Sequence, residues 1–199
     1  KSLACPMIML NVTAAIRNAD TERADLYDRI SKELVSDIKA FHNYDLKATF
    51  ETIGADGSFL LESQSTRVIN PGHDIECSWF LLETALERKD NELVKFASTI
   101  FKNAIEFGWD KKYGGILYFK DVLGNPVEAY EHDMKLWWPH NEAVIGSLMF
   151  YLTTKDEYYF NWFKKVVKYA FAHFSDKKNG EWFGYLRRDG KPTEPPCKG

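Results

Sequence analysis

Apolar residues recur along this chain at three- and four-residue intervals, the period of a helix with one buried stripe. Ile75, Trp79, Leu82 and Leu86 form one stripe, and Leu93, Phe96, Ile100, Ala104 and Phe107 form the next. The first predicts a helix from Pro71 to about Arg88, with Pro71 at the favoured first position and Asn70 as N-cap. Asp90 is the expected cap of the second. Tyr113–Phe119 then reads as a short strand, and Leu123-Gly124-Asn125-Pro126 as its turn.

The same order returns further on. Pro139 starts a helix carrying Val144, Leu148 and Leu152, and Asp156 caps another carrying Trp162, Val166, Tyr169 and Phe171. A hairpin through Trp182–Leu186 and Asp189-Gly190 is expected after it. Individual residues repeat in step: Asp110-Lys111-Lys112 as Asp176-Lys177-Lys178, Gly114 as Gly180, Gly124 as Gly190, Pro126 as Pro192, and Glu76 as Glu142. A more diverged copy precedes these, with helices near 3–17 and 22–41 and a hairpin at Ala48–Leu61 turned by Ala55-Asp56-Gly57.

A copied unit of this kind buries its apolar face on its neighbours. The expected fold is therefore all-α: a single domain of three helix-pair repeats, about 1–66, 67–132 and 133–199, joined by short β-hairpins. Helix pairs stacked by repetition make an α/α solenoid or a closed α/α toroid, and three pairs are about half of such a ring. The chain begins at Lys1 inside an apolar helical pattern and ends after Pro192, Pro195 and Pro196, so a longer protein is expected. The first helix of each pair is the natural inner one. His73, Glu76, His140 and Glu142 would then face the mouth of the ring.

Composition narrows the function. The net charge is -3, and no basic stripe suited to phosphate is visible, which argues against nucleic acid. No signal peptide or membrane-length apolar run is found, so the cytosol is the default. The 3 cysteines form no Cys-x-x-Cys pair, which speaks against a zinc site or a disulfide framework. Aromatics at 15% suit packing between helices and equally suit stacking against sugar rings.

His73 and Glu76 share a helix face. A histidine held by a carboxylate suits acid–base work near neutral pH, whereas a capping arrangement around the first-turn amides would leave His73 incidental. A metal bound by His73, Glu76 and His140 has no His-Glu-x-x-His pattern behind it. Trp137-Trp138-Pro139-His140-Asn141-Glu142 gathers ring faces and polar groups able to hold a sugar, or else places a core tryptophan. Arg67 is either a clamp for an anionic group or a surface residue.

Three segments resemble one family. Arg67-Val68-Ile69-Asn70-Pro71-Gly72-His73-Asp74-Ile75-Glu76-Cys77-Ser78-Trp79 is similar to the Asn-Pro-Gly-His-x-x-Glu segment of N-acylglucosamine 2-epimerases, whose mammalian members are also called renin-binding proteins. Met134–Ala143 and Gly180–Leu186 resemble two further segments, and Leu3-Ala4-Cys5-Pro6-Met7 an earlier helix start.

The resemblance implies an (α/α)6 barrel, homodimeric at full length. It would interconvert N-acetylglucosamine and N-acetylmannosamine by removing and returning the C2 proton, with two bases on opposite faces. His73 then matches one acid–base histidine, Glu76 its partner, and Glu142 an essential carboxylate. Arg67, Trp79, Trp138 and His140 become the candidate substrate-binding residues, with an N-acylhexosamine as the partner. No cofactor is required and no metal is expected; ATP enters as an allosteric activator. The family's second histidine, in a Phe-His-x-Pro-Arg segment, would follow Gly199, so this polypeptide alone is expected to be inactive. Cellobiose 2-epimerase or an aldose–ketose isomerase is the sister reading, and a non-catalytic interaction protein the reading from another class.

Overall fold

A computed structural model describes residues 1–193; Pro195, Pro196 and Cys197 lie outside the described residues. Three antiparallel helix pairs follow one another: α1 (Ala4–Ala19) with α2 (Ala24–Ala40), α4 (Pro71–Arg88) with α5 (Asn91–Gly108), and α6 (Trp137–Thr154) with α7 (Glu157–His173). A single turn, α3 (Gln64–Arg67), precedes the second pair. Helices α1, α4 and α6 pack side by side, and α2, α5 and α7 each lie against the helix before them. That is the inner and outer alternation of an α/α ring.

The caps explain the starts. Asn70 Oδ1 accepts from the Gly72 and His73 amides at 3.0 and 3.3 Å. Asp90 and Asp156 accept from the amides of Leu93 and Tyr158. At the ends of α4 and α6 a lysine takes the left-handed conformation, Lys89 (φ 53°) and Lys155 (φ 59°), where glycine is commoner. The copied positions thus carry copied geometry. Gly114 and Gly180, and Gly124 and Gly190, all have positive φ, and Asp110 and Asp176 accept from the amides of Lys112 and Lys178, each at 2.9 Å.

The strands differ from those expected. Tyr113–Phe119 is not a strand: it turns back on the end of α5 through a bridge between Trp109 and Ile116 and a Leu117 amide bonded to Gly108 O. The ladders are two residues long, and only β1 (His42–Asn43) with β2 (Ala48–Thr49) is a local hairpin. Strand β3 (Val68–Ile69) pairs with β4 (Lys120–Asp121), and β5 (Lys135–Leu136) with β6 (Tyr185–Leu186), all antiparallel. Each of the latter joins the entry of an inner helix to the exit of its pair, so that the second and third units are closed at one end. The stripes also end sooner than expected. Leu86 and Leu152, in the last turns of α4 and α6, and Phe171, off the period of Val166 and Tyr169, are exposed.

Where β5 meets β6 the sequence buries a lysine. Lys135 is fully buried, and its Nζ donates to Asp110 Oδ2 at 3.0 Å and to the carbonyls of Gly114 and Arg188. Arg188 Nε donates to the same Asp110 oxygen at 3.0 Å. All three ammonium donors are thereby used, which makes the burial tolerable. Replacing Lys135→Met leaves the Asp110 carboxylate with a half-exposed arginine as its one cationic hydrogen-bond partner among the described residues, beside the turn amides of Lys112 and Tyr113. Urea unfolding is expected to show a loss of about 3 kcal/mol.

Candidate active site

The site lies at the N-terminal ends of α4 and α6. His73 stands in the first turn of α4, a position fixed by the Asn70 cap and by Pro71. Gly72 leaves room for its neighbour: a β-carbon there would stand 2.7 Å from the ring of Trp138. The indole therefore lies across the helix start, its centroid 5.2 Å from that of His73. The imidazole is half-buried, and its Nδ1 lies 3.0 Å from Glu51 Oε1. A carboxylate only accepts, so Nδ1 carries the proton, and among the described residues Nε2 has no hydrogen-bond partner.

Glu76, expected to hold His73, acts on it through charge alone; Glu51 takes the hydrogen bond. One turn further, Trp79 Nε1 donates to Glu142 Oε2 at 2.7 Å, which ties α4 to α6. His73, Glu51, Glu76, Trp79, Trp138 and Glu142 thus form one half-buried cluster.

Charge within the cluster is shared unevenly. Burial opposes charging His73, yet the hydrogen bond and charge of Glu51, helped by Glu76, hold its pKa above 6.5. Burial, and then the charge of Glu142, raise the Glu76 carboxyl. Glu142 is raised by burial against the opposing pull of the Trp79 N–H. The arrangement offers an oriented base, two carboxyls that take up a proton more readily than in water, and two indoles.

The other candidates stand elsewhere. His140 is fully buried: Nδ1 donates to Leu136 O at 2.7 Å, and Nε2 accepts from the Ile116 amide at 3.0 Å. It joins the start of α6 to the turn after α5 and has no nitrogen left for a sugar. Arg67 Nε donates to the buried Asp121 at 2.9 Å and its NH1 to Leu61 O, so its guanidinium binds β3 to β4. Trp137 is exposed, and Trp138 is the indole beside His73. Among the described residues no group of three or more His, Cys, Asp or Glu is placed to hold a metal.

Glu51 is the residue that sequence reasoning missed. It lies between Phe50 and Ile53, both buried in the core, in a segment expected to be the arm of a hairpin. Its proximity to His73 depends on a fold contact that no local spacing signals.

Residues 3–199 match the family N-acylglucosamine 2-epimerase. The N-acylglucosamine 2-epimerase of Bos taurus is 38% identical, over 96% of this chain and 45% of that protein. A cellobiose 2-epimerase of Bacteroides fragilis is 28% identical over 62% of the chain. The crystal structure of a D-mannose isomerase superposes with a TM-score of 0.83 at 20% identity, over 96% of this chain and 50% of that one. The chain thus spans about half the length of the curated relatives it matches, with three helix pairs of an α/α barrel. It belongs to the N-acylglucosamine 2-epimerase family.

Proposed function

We propose that the full-length protein carrying this chain interconverts N-acylglucosamine and N-acylmannosamine, and that His73 is one of its two bases. The observation that carries the reading is the His73 imidazole, oriented through Nδ1 by Glu51 and set against the Trp138 ring, on the same helix as Glu76 and the Trp79 that binds Glu142. In the open-chain sugar the C1 carbonyl acidifies the C2 proton. Nε2 takes that proton while C2–H electrons move into the C1–C2 bond, giving an enediolate-type intermediate. Glu142 and Glu76 stand in the same half-buried cluster and suit the sugar hydroxyls as hydrogen-bond acceptors. Trp138 and Trp79 bound the sugar faces.

Return of the proton to the opposite face needs a second base. His140 is sealed in the core, and His42 packs against Phe96 of α5. The family resemblance assigns that role to a histidine in a Phe-His-x-Pro-Arg segment. No cofactor enters the chemistry; the family resemblance adds ATP as an effector, a homodimer and a cytosolic setting to the reading. The greater identity to the acylglucosamine enzyme than to the cellobiose enzyme favours an N-acylhexosamine as substrate.

Proton NMR of N-acetylmannosamine in D2O with the full-length protein tests this. Loss of the C2 proton signal together with appearance of N-acetylglucosamine is expected. Preferred turnover of mannose or cellobiose would overturn the substrate assignment, and absence of exchange with all three sugars would overturn the function.

A further inference from the structure

We propose that Glu51 is the positioning residue of the site: it fixes the tautomer and direction of His73, and the segment that carries it is clamped for that purpose. The proposal rests on the reading of His73 as a base.

Three contacts hold the segment. The Phe50 and Ile53 side chains are buried in the core, so Glu51 cannot slide along the chain. Its carbonyl accepts from the Leu3 amide at 3.0 Å, and Ser2 bridges Thr52, so the lead into α1 is joined to it on one side. On the other side the Thr49 amide donates to Asp74 Oδ2 at 3.3 Å. Asp74 is the residue after His73 on α4 and is almost fully buried. The segment after β2 that supplies Glu51 is thus joined, through Thr49, to the helix turn that supplies His73. Base and orienter are held as one unit, with their separation set by backbone rather than by two free side chains.

The neighbouring charges make Glu51 the one suited to the task. On α4, Glu76 faces the same ring but makes no hydrogen bond to it, and its carboxyl is already shared with the field of Glu142 on α6. Trp138 on α6 contributes only a ring face. Tyr118, which feels the Glu51 charge from the other side, is a phenol and neutral at working pH. Without Glu51 either ring nitrogen of His73 is free to carry the proton, and the imidazolium formed during proton transfer loses its nearest countercharge. The closest parallel is the carboxylate that orients a catalytic imidazole in hydrolytic triads.

Two variants of the full-length protein separate charge from geometry. Histidine-labelled nitrogen-15 NMR reads the tautomer and titration of His73, and C2 exchange on N-acetylmannosamine reads its work. Glu51→Gln retains an acceptor for Nδ1–H and removes the charge. Its expected result is a kept tautomer, a His73 titration moved to lower pH, and a kcat reduced about 10- to 100-fold with little change in KM. Glu51→Ala is expected to show both tautomers as well. Unchanged titration and tautomer in both variants would overturn the proposal. If the unaltered protein exchanges no sugar, the function fails while the NMR result still decides the role of Glu51.

Discussion

Replacing His73→Asn in the full-length protein is expected to reduce C2 exchange on N-acetylmannosamine by about 10³-fold, within the range of about 10²–10⁴ for a lost general base. Asparagine retains an N–H to offer Glu51 and similar bulk beneath Trp138, so the cluster keeps its shape while its base is gone. The sugar's dissociation constant should therefore change little, because the indoles and carboxyls that hold it remain. Exchange at the unaltered rate would remove His73 from the mechanism. The pH profile gives a second check. With the His73 pKa above 6.5, the ring is protonated below that value and unable to accept a proton. One base takes the C2 proton and the other returns one, so in either direction the working enzyme carries one proton on the pair. The equilibrium constant of the sugars does not depend on pH, so kcat/KM for the two epimers is expected to follow one bell-shaped profile, falling in acid where both bases are protonated and in alkali where neither is. A flat profile would count against such a pair.

The helices and their caps were legible because their causes are local. Asn70-Pro71, Asp90 and Asp156 carry their structural meaning within three or four residues, and Leu93, Phe96 and Ile100 mark a face by spacing alone. The strands were not legible, because a two-residue ladder such as Val68–Ile69 on Lys120–Asp121 leaves no periodic trace and joins segments far apart in sequence. The glycines of the turns were recognised, but not that Gly115 lies under Tyr169, whose ring would stand 2.5 Å from any β-carbon. The site divides along the same line. His73, Glu76, Trp79 and Glu142 lie in the N-terminal halves of inner helices, where repeat and spacing point together, and the structure brings them into one cluster. Glu51 reaches that cluster only through tertiary contact. His140 and Arg67 show the converse case: polar residues beside a site motif whose hydrogen bonds go to backbone and Asp121. The αL lysines at 89 and 155 had no glycine to announce them.

The buried His140 is expected to make the protein acid-sensitive. Burial, with the charge of Lys135 adding to it and the Leu136 carbonyl opposing, takes its pKa from 6.5 to about 3. The sign follows from which state binds more protons. Between pH 6.5 and 3 the unfolded chain carries a protonated histidine and the folded chain a neutral one, so acid favours unfolding. The stabilisation by His140 is fully present above pH 6.5 and is lost as pH falls toward 3. Its total is on the order of 5 kcal/mol, of which about 3 is lost by pH 4. A His140→Gln variant has no titrating ring, while its amide oxygen can still accept from Ile116 N–H. Urea unfolding of both proteins at pH 7 and pH 4 should show an acid loss about 3 kcal/mol smaller in the variant, since other titrating groups contribute equally to both. An equal acid loss would mean that His140 does not carry the effect. His140→Ala shares the smaller acid loss, having no titrating ring, but adds a loss of about 3–5 kcal/mol at pH 7, because it leaves the Ile116 amide unpaired and a cavity between the rings of Tyr169 and Phe174. A histidine two residues before Glu142 thus serves the site by holding the start of α6 against the turn after α5, and it does so only while it stays neutral.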